Sequence, residues 1–339
     1  MPALEPTPLA GDPLRVSFSE YIGDEPTGKE HPELLRLKPS HGHDQTIVNG
    51  VSRIGYMSGG KAARWNDEDM ADTYVKKAVD FIAANKAQPF FLELATHDIH
   101  VPRLPHARFA GKSELGVRGD VIVEFDWCVG EVLAALEKHG LSGNTLVILS
   151  SDNGPVVDDG YEDGAVAKLG DHKPAGPLRG SKGSIYEGGT RVPFIVRWPG
   201  RVKPGVSEAL MCQVDFPATF AALTEQAFET KTAPDSQNVL PALLGDSPTG
   251  RTQLVEHSGG IALRAGAWKL IPNRPGLARN APAPGAAPDA ELYNLANDLG
   301  EKRNIAASQP EKVKELTDLL AAERAKANDA SGVIQRGKE

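Results

Sequence analysis

Apolar positions recur along this chain with two periods, and the switch between them marks out its elements. From Asn66 to Lys86, the residues Tyr74, Val75, Ala78, Val79 and Ile82 fall at three- and four-residue steps, which places them on one face of a helix. Asn66 or Asp67 is positioned to cap it. Gly119 to His139 repeats the pattern, with Ile122, Phe125, Val129, Leu133 and Leu136 on one stripe and Gly140 as the stop. Three short apolar runs, PFFLELA (89–95), TLVILS (145–150) and RVPFIVRW (191–198), predict buried strands, and Asp215 to Leu223 predicts a short helix. Helices alternating with such strands predict an α/β fold, with a mostly parallel sheet sandwiched by helices.

The pattern changes near residue 250. TQLVEHS, GIALRAG and AWKLIP are short runs at hairpin spacing and predict a small antiparallel sheet. Residues 272–290 form a Pro/Ala/Gly-rich loop, and a terminal helix is predicted from about Gln309 to Asn328. Residues 1–66 are rich in Gly, Pro, His and charge, with little periodicity. The expected organisation is an irregular excursion of the main domain over 1–66, an α/β core over 67–250, and an antiparallel sheet plus helix over 251–339. A length of 339 residues suits one large core with a smaller companion.

Charge and cysteine content narrow the function classes. A net charge of −8 disfavours a general binder of nucleic acid or of anionic membranes. No stretch reads as a membrane span. The two cysteines, Cys128 and Cys212, form no C-x-x-C, so a disulfide framework or a zinc knuckle is not expected. The first residues lack the basic and apolar regions of a signal peptide.

Candidate chemistry lies where strands end, since ligands of open α/β sheets bind at the carboxyl ends of the strands. Asp152 and Asn153 follow TLVILS directly, and a carboxylate beside an amide oxygen suits a hard cation. Asp-Asn-Gly-Pro is also ordinary turn chemistry. His97 and His100 follow PFFLELA, either as site residues or as satisfied polar side chains. Lys182 lies among glycines that let its backbone approach a ligand, and its ammonium would meet an anionic oxygen as a point charge. The same loop also reads as a solvated one, and it lacks the order of a Walker A loop. A cation site, an anion-seeking lysine and a histidine together suit hydrolysis of an anionic sulfate or phosphate ester.

Four stretches carry a resemblance: PFFLELATHDIHVP; GDVIVEFDWCVGEVLAALEKHGLSGNTLVILSSDNGP; PLRGSKGSIYEGGTRVPFIVRWPG; and AWKLIP with ELYNLANDLGE. Over roughly 89–305 the chain resembles the type I sulfatases of the alkaline-phosphatase-like superfamily. The resemblance implies that Asp152 and Asn153 are metal ligands, with Ca²⁺ expected and Mg²⁺ or Mn²⁺ as alternatives. It implies that Lys182 and His100 contact the sulfate or its leaving oxygen. His97, Asp98, Asp171 and His172 share those loops and are expected to read the substrate. Glu187 and Arg191 are expected to brace the Lys182 loop by local pairing. The implied partner is a sulfated or phosphorylated small molecule or glycan. Relatives of this type are often periplasmic or secreted.

Three parts of the family pattern have no match: the nucleophile motif, an Asp-Asp pair at the first core strand, and a second Lys and His from the segment after the nucleophile. Its formylglycine nucleophile arises from C/S-x-P/A-x-R, and neither Cys128, Cys212 nor any serine here begins that motif. Formylglycine is therefore not expected in this chain. Asp158-Asp159-Gly160 is its only Asp-Asp, and it sits in a loop rather than at a first core strand. The fold is thus expected to be amino-terminally incomplete, with a homodimer or a complementing segment covering an open sheet edge. Two further readings follow: a metal-dependent phosphodiester or phosphotriester hydrolase using activated water, and an inactive truncated fragment that oligomerises or binds a partner.

Overall fold

The computed structural model describes residues 67–101, 103–158, 163–258, 260–272 and 290–331. The expected excursion over 1–66, nearly all of the loop over 272–290, and the Asp159-Gly160 half of the Asp-Asp-Gly turn lie outside these residues. Contacts divide the described residues into two compact units. One holds those up to Ser142 with Val157–His172; the other holds Gly143–Val156 with everything from Lys173 onward.

The first unit is built on two helices, α1 (Met70–Asn85) and α2 (Val117–Lys138). Helix α1 buries Ala71, Val75, Ala78 and Ile82, the face expected from its periodicity, and Val75 and Ala71 pack with Cys128 of α2. Helix α2 is rotated from the expected stripe. Ile122 is 37% exposed, while Val121, Glu124, Cys128, Ala135 and Leu136 are buried. The reason is polar. Residues 106–113 run past α2, and their N–H groups need acceptors. Glu124 Oε1 accepts from His106 N–H at 3.0 Å, and Asp120 accepts from Gly111 N–H at 2.9 Å and Ser113 N–H at 2.8 Å. Two carboxylates are thereby turned inward, where a hydrophobic count places them outward.

PFFLELA was expected as a strand, and its exposure does alternate, but it forms no ladder among the described residues. Phe90 meets Phe81 of α1 edge-on at 5.8 Å, whereas Phe91 is 69% exposed. Alternation makes a segment extended. Only a neighbouring backbone with free N–H and C=O groups makes it a strand.

The second unit opens with β1 (Val147–Ser150), followed by the one-turn helix α3 (Glu187–Thr190) and β2 (Phe194–Arg197). β1 and β2 pair antiparallel, Val147 opposite Arg197 and Ser150 opposite Phe194. Side chains pin both ends of this ladder. Trp198 Nε1–H donates to Gly143 O at 2.9 Å, and Gln213 Nε2–H donates to Ser150 Oγ and Ser151 O at 2.8 Å each. Helices α4 (Phe216–Leu223) and α5 (Leu240–Leu243) follow, both with proline in the first turn. Proline is tolerated there because its missing N–H would have had no partner.

The chain then forms the expected antiparallel sheet, in the order β3 (Gln253–His257), β4 (Ile261–Ala265), β5 (Trp268–Ile271) and β6 (Glu291–Asn294). β6 had no strand signal of its own, since four residues beyond a Pro/Ala/Gly-rich loop carry too short a pattern. The ladder aligns Leu263, Leu270 and Leu292 on one face, all fully buried beneath Leu316 and Leu320 of α6 (Pro310–Ser331). Each such leucine contributes about 1.5–3 kcal/mol of burial. Ala262, Ile271 and Tyr293 point to the other face and meet Ile185 and Tyr186. Mixed helix and sheet with a small antiparallel sheet near the carboxyl end matches the expected fold class, but β1 and β2 also pair antiparallel, so the mostly parallel sheet that was expected has no parallel ladder among the described residues. No described helix is long and apolar enough to cross a membrane.

Burial pushes the Glu124 carboxyl up to about 7, against the His106 N–H that favours its ionised form. A glutamate normally titrates at 4.5, so the folded chain holds a proton between those values that the unfolded chain releases. Stability from this group is therefore greatest at low pH and declines as pH rises through that window. Urea midpoints taken from pH 5 to 8 should fall more in the parent chain than in Glu124→Gln. Parallel profiles would contradict this reading of the buried carboxyl.

Candidate functional site

Asp152 and Asn153 leave the end of β1 on a turn that other backbone grips closely. Gly154 N–H donates to Gly189 O at 3.0 Å, and Lys182 N–H donates to Pro155 O at 3.0 Å. Gly188 N–H donates to Arg179 O at 2.6 Å. These approaches leave no room for side chains. A Cβ on Gly154 would lie 1.8 Å from Gly188 O, one on Gly188 would lie 2.5 Å from Gly180 O, and one on Gly189 would lie 2.1 Å from Ser184 O. Gly180 and Gly183 adopt φ of 87° and 81°, which L side chains rarely reach. The glycines flanking Lys182 thus press its loop against the Asp152–Asn153 turn.

Asp152 and Lys182 are exposed and Asn153 is half-buried. Asn153 Nδ2–H donates to Gly154 O at 2.9 Å, which leaves the amide oxygen without a donor among the described residues. The Asp152 carboxylate takes one long bond, from Ser151 Oγ–H at 3.5 Å. The pair therefore offers a hard cation two oxygen donors of suitable chemistry. A Ca²⁺ takes about six to eight such oxygens. No group of three or more His, Cys, Asp or Glu gathers for a metal among the described residues.

His97, Asp98 and His100 belong to the other unit, on a tight turn. His100 N–H donates to His97 O at 3.2 Å, and Ile99 adopts φ of 70°. That is unfavourable for a β-branched residue and costs about 1–3 kcal/mol. Arg103 holds the turn: its Nε–H reaches Ile99 O at 3.4 Å, and its NH1 forms a buried pair with Asp163 at 2.5 Å. His100 Nδ1 lies 2.8 Å from Val101 O. A carbonyl only accepts, so Nδ1 carries the proton and Nε2 is the free face of this exposed ring. Asp98 is buried and accepts from the Cys128 thiol at 3.6 Å. Burial pushes the Asp98 carboxyl up, opposed by the Cys128 hydrogen bond, and burial also pushes the Cys128 thiol up, beside Asp98. Cys128 is thus a poor nucleophile. Asp171 and His172 sit exposed on a loop of the same unit, with His172 N–H donating to Leu169 O at 3.1 Å.

The local pairing expected of Glu187 and Arg191 is present, at 2.6–2.7 Å, but it is the rim of a larger network. The Glu187 carboxylate also meets Lys269 Nζ at 2.9 Å and Arg264 NH1 at 3.2 Å. Lys269 reaches Glu256 at 2.8 Å and Glu301 at 3.5 Å. Burial alone would raise the Glu187 pKa, but Lys269, Arg191 and Arg264 outweigh it and hold the carboxyl below its ordinary value. Burial would likewise lower Lys269, and Glu256, Glu187 and Glu301 outweigh it and raise it. Lys269, Glu256, Arg264 and Glu301 were missed in the sequence. One signal was available: a lysine inside the apolar run W-K-L-I has its side chain on an inward-facing strand.

With this geometry in place, comparison with known proteins decides the family. A family model described as Sulfatase matches residues 20–226. The chain belongs to the sulfatase family. It is 49% identical over 319 residues to an N-acetylgalactosamine-6-O-sulfatase from Bacteroides thetaiotaomicron, an alignment covering 91% of this chain and 61% of that protein. It is 33% identical over 269 residues to human arylsulfatase A, covering 73% of this chain and 51% of that protein. A solved structure whose description concerns metabolism of multiple glycosaminoglycans by Bacteroides thetaiotaomicron superposes with a TM-score of 0.78 at 48% identity, covering 92% of this chain and 66% of that one. The sulfatase PsFucS1 from Pseudoalteromonas sp. superposes at 0.63 with 26% identity, covering 77% of this chain and 53% of that one. This sulfatase chain therefore spans roughly half to two thirds of the length of these relatives.

The glycine contacts give a direct test. Gly154→Ala should destabilise the chain by about 1–3 kcal/mol or more, because its Cβ meets backbone that has nowhere to move. Gly143→Ala, with nothing within 4 Å of the added carbon, should stay within about 0.5 kcal/mol of the parent. Chemical unfolding of both variants measures the difference, and equal midpoints would refute the close packing.

Proposed function

We propose that this chain acts in hydrolysis of sulfate esters on amino sugars of the glycosaminoglycan kind. The observation that carries the reading is the backbone docking of the Asp152–Asn153 turn against the Lys182 loop, with Lys182 N–H on Pro155 O at 3.0 Å. It sets two hard oxygen donors and an anion-seeking ammonium on adjoining turns. The substrate class is supported by the 49% identical relative, which is named for sulfated N-acetylgalactosamine.

In this reading Asp152 and Asn153 hold the cation, Ca²⁺ in preference to Mg²⁺ or Mn²⁺, since both donors are hard oxygens. The bound cation supplies positive charge against the sulfate oxygens. Lys182 donates to a sulfate oxygen and offsets charge that grows as the ester bond breaks. His100, with Nδ1–H tied to Val101 O, offers Nε2 to the leaving sugar oxygen, and in its doubly protonated form it gives the Nε2 proton to that oxygen. His97, Asp171 and His172 meet the sugar, whereas Asp98, expected to join them, is buried against the Cys128 thiol and is left out of that role. None of these residues is the attacking nucleophile, and C/S-x-P/A-x-R is absent from the chain, so in this reading a water molecule attacks sulfur as the bond from sulfur to the sugar oxygen breaks. Turnover by this chain alone should therefore be slow, on the order of 10⁶ below an enzyme with its covalent nucleophile.

The test is hydrolysis of 4-nitrophenyl sulfate and of 6-sulfated N-acetylgalactosamine, with Ca²⁺ or with chelator, beside calorimetric titration with Ca²⁺. Slow turnover that chelator and Asp152→Ala both abolish is the expected result, with Ca²⁺ uptake lost in the same variant. Identical turnover and Ca²⁺ heats in the parent and in Asp152→Ala would sink the proposal.

A further inference from the structure

The ammonium of Lys182 is exposed and makes no ion pair among the described residues, so its place is set by the backbone that carries it. That backbone is the loop 180–186, whose two feet are Arg179 and Tyr186–Glu187. Both feet converge on one residue. Glu301 Oε2 accepts from Glu187 N–H at 2.7 Å, and Glu301 O accepts from Arg179 NH1 at 3.0 Å. The Arg179 guanidinium lies 3.7 Å from the Tyr186 ring centroid and also donates to Tyr293 Oη at 3.0 Å. Arg179 O in turn accepts from Gly188 N–H.

Glu301 is fully buried and adopts φ of 51°, a conformation that glycine would take without strain. Its neighbour Gly300 packs closely on the chain, where a Cβ would lie 3.0 Å from Pro177 O. A left-handed, water-excluded glutamate is unfavourable on three counts: backbone, desolvation and charge. What the side chain supplies in return is an acceptor for the one N–H at which the loop turns into α3.

We propose that Glu301 is a positioning residue for Lys182, acting through the two feet of the 180–186 loop. This rests on the reading of Lys182 as a sulfate contact. Glu301 touches no substrate. It fixes the span between Arg179 and Glu187, and that span decides where Lys182 stands on the Asp152–Asn153 turn.

Two variants separate positioning from folding. Glu301→Gly suits the positive φ and keeps the carbonyl that binds Arg179, but removes the acceptor for Glu187 N–H. Glu301→Gln restores that acceptor without the charge. Hydrogen exchange of the 181–187 amides should speed up by about tenfold in Glu301→Gly, more than that of β4 and β5, where the variant also removes a carboxylate 3.5 Å from Lys269, and should return to within about threefold of the parent in Glu301→Gln. Unchanged loop exchange in Glu301→Gly would overturn the proposal. The second readout is acylation of the Lys182 amine, mapped by peptide mass at rising concentrations of inorganic sulfate. Half-protection of Lys182 should need about tenfold more sulfate in Glu301→Gly than in the parent, with Glu301→Gln close to the parent. A merely stabilising role would move the thermal midpoint and leave this protection constant alone, which would also overturn the proposal. No protection of Lys182 by sulfate in the parent would refute the sulfate-contact reading on which the proposal rests. The exchange data tell that result apart from a loop that Glu301 fails to hold.

Discussion

A lysine ammonium shut away from water must be matched in charge, and Lys269 imposes that requirement on the second unit. It sits on β5 with its side chain fully buried, facing Glu187 at 2.9 Å and Glu256 at 2.8 Å. Removing one partner of such a group typically costs about 3–5 kcal/mol, because the other charge is left buried alone. Arg191 and Arg264 bring the cations of the network to three, against the carboxylates of Glu187, Glu256 and Glu301. The balance explains why Glu187 keeps its charge in a place where burial alone would neutralise it. It also fixes α3 against the sheet, and the Gly-rich loop hangs from α3.

The antiparallel sheet therefore has two separate tasks, one on each face. Its register places Leu263, Leu270 and Leu292 together, and α6 covers them. The same register puts Arg264 opposite Lys269 and Lys269 opposite Tyr293 on the other side. That face holds charge and hydroxyls as well as Ala262 and Ile271, and the root of the Lys182 loop packs on it through Ile185 and Tyr186. Above that root, glycine backbone packs on glycine backbone. Rigidity there comes from the absence of side chains, since Gly154, Gly188 and Gly189 each sit where a Cβ would strike a carbonyl.

The first unit shows a different economy of polar groups. Its loops over 106–113 borrow acceptors from α2, and its 97–100 turn borrows a donor from Arg103. Both devices place charged side chains inside. Hydrophobic counting read α1 correctly because its buried face is apolar. It misread α2 because Asp120 and Glu124 occupy buried positions that apolar residues normally hold.

The sequence by itself determined much of this protein. Periodicity located α1, α2, α6 and the β3–β5 meander, and the spacing of S-D-N-G and G-K-G-x-x-Y-E-G-G-x-R was specific enough to point to the family. Those features are local, written in residues a few positions apart, where helix and strand periods and turn chemistry act. The tertiary structure alone decided which way α2 faces, that 89–95 lacks a ladder among the described residues, and that β6 completes the sheet. It also decided that Lys269 and Glu301, some 82 and 114 residues from Glu187 in the chain, close around it. A buried charge is settled by whatever reaches it through space. No pattern along the chain encodes that until strand register and loop closure have brought the partners within about 3 Å of each other.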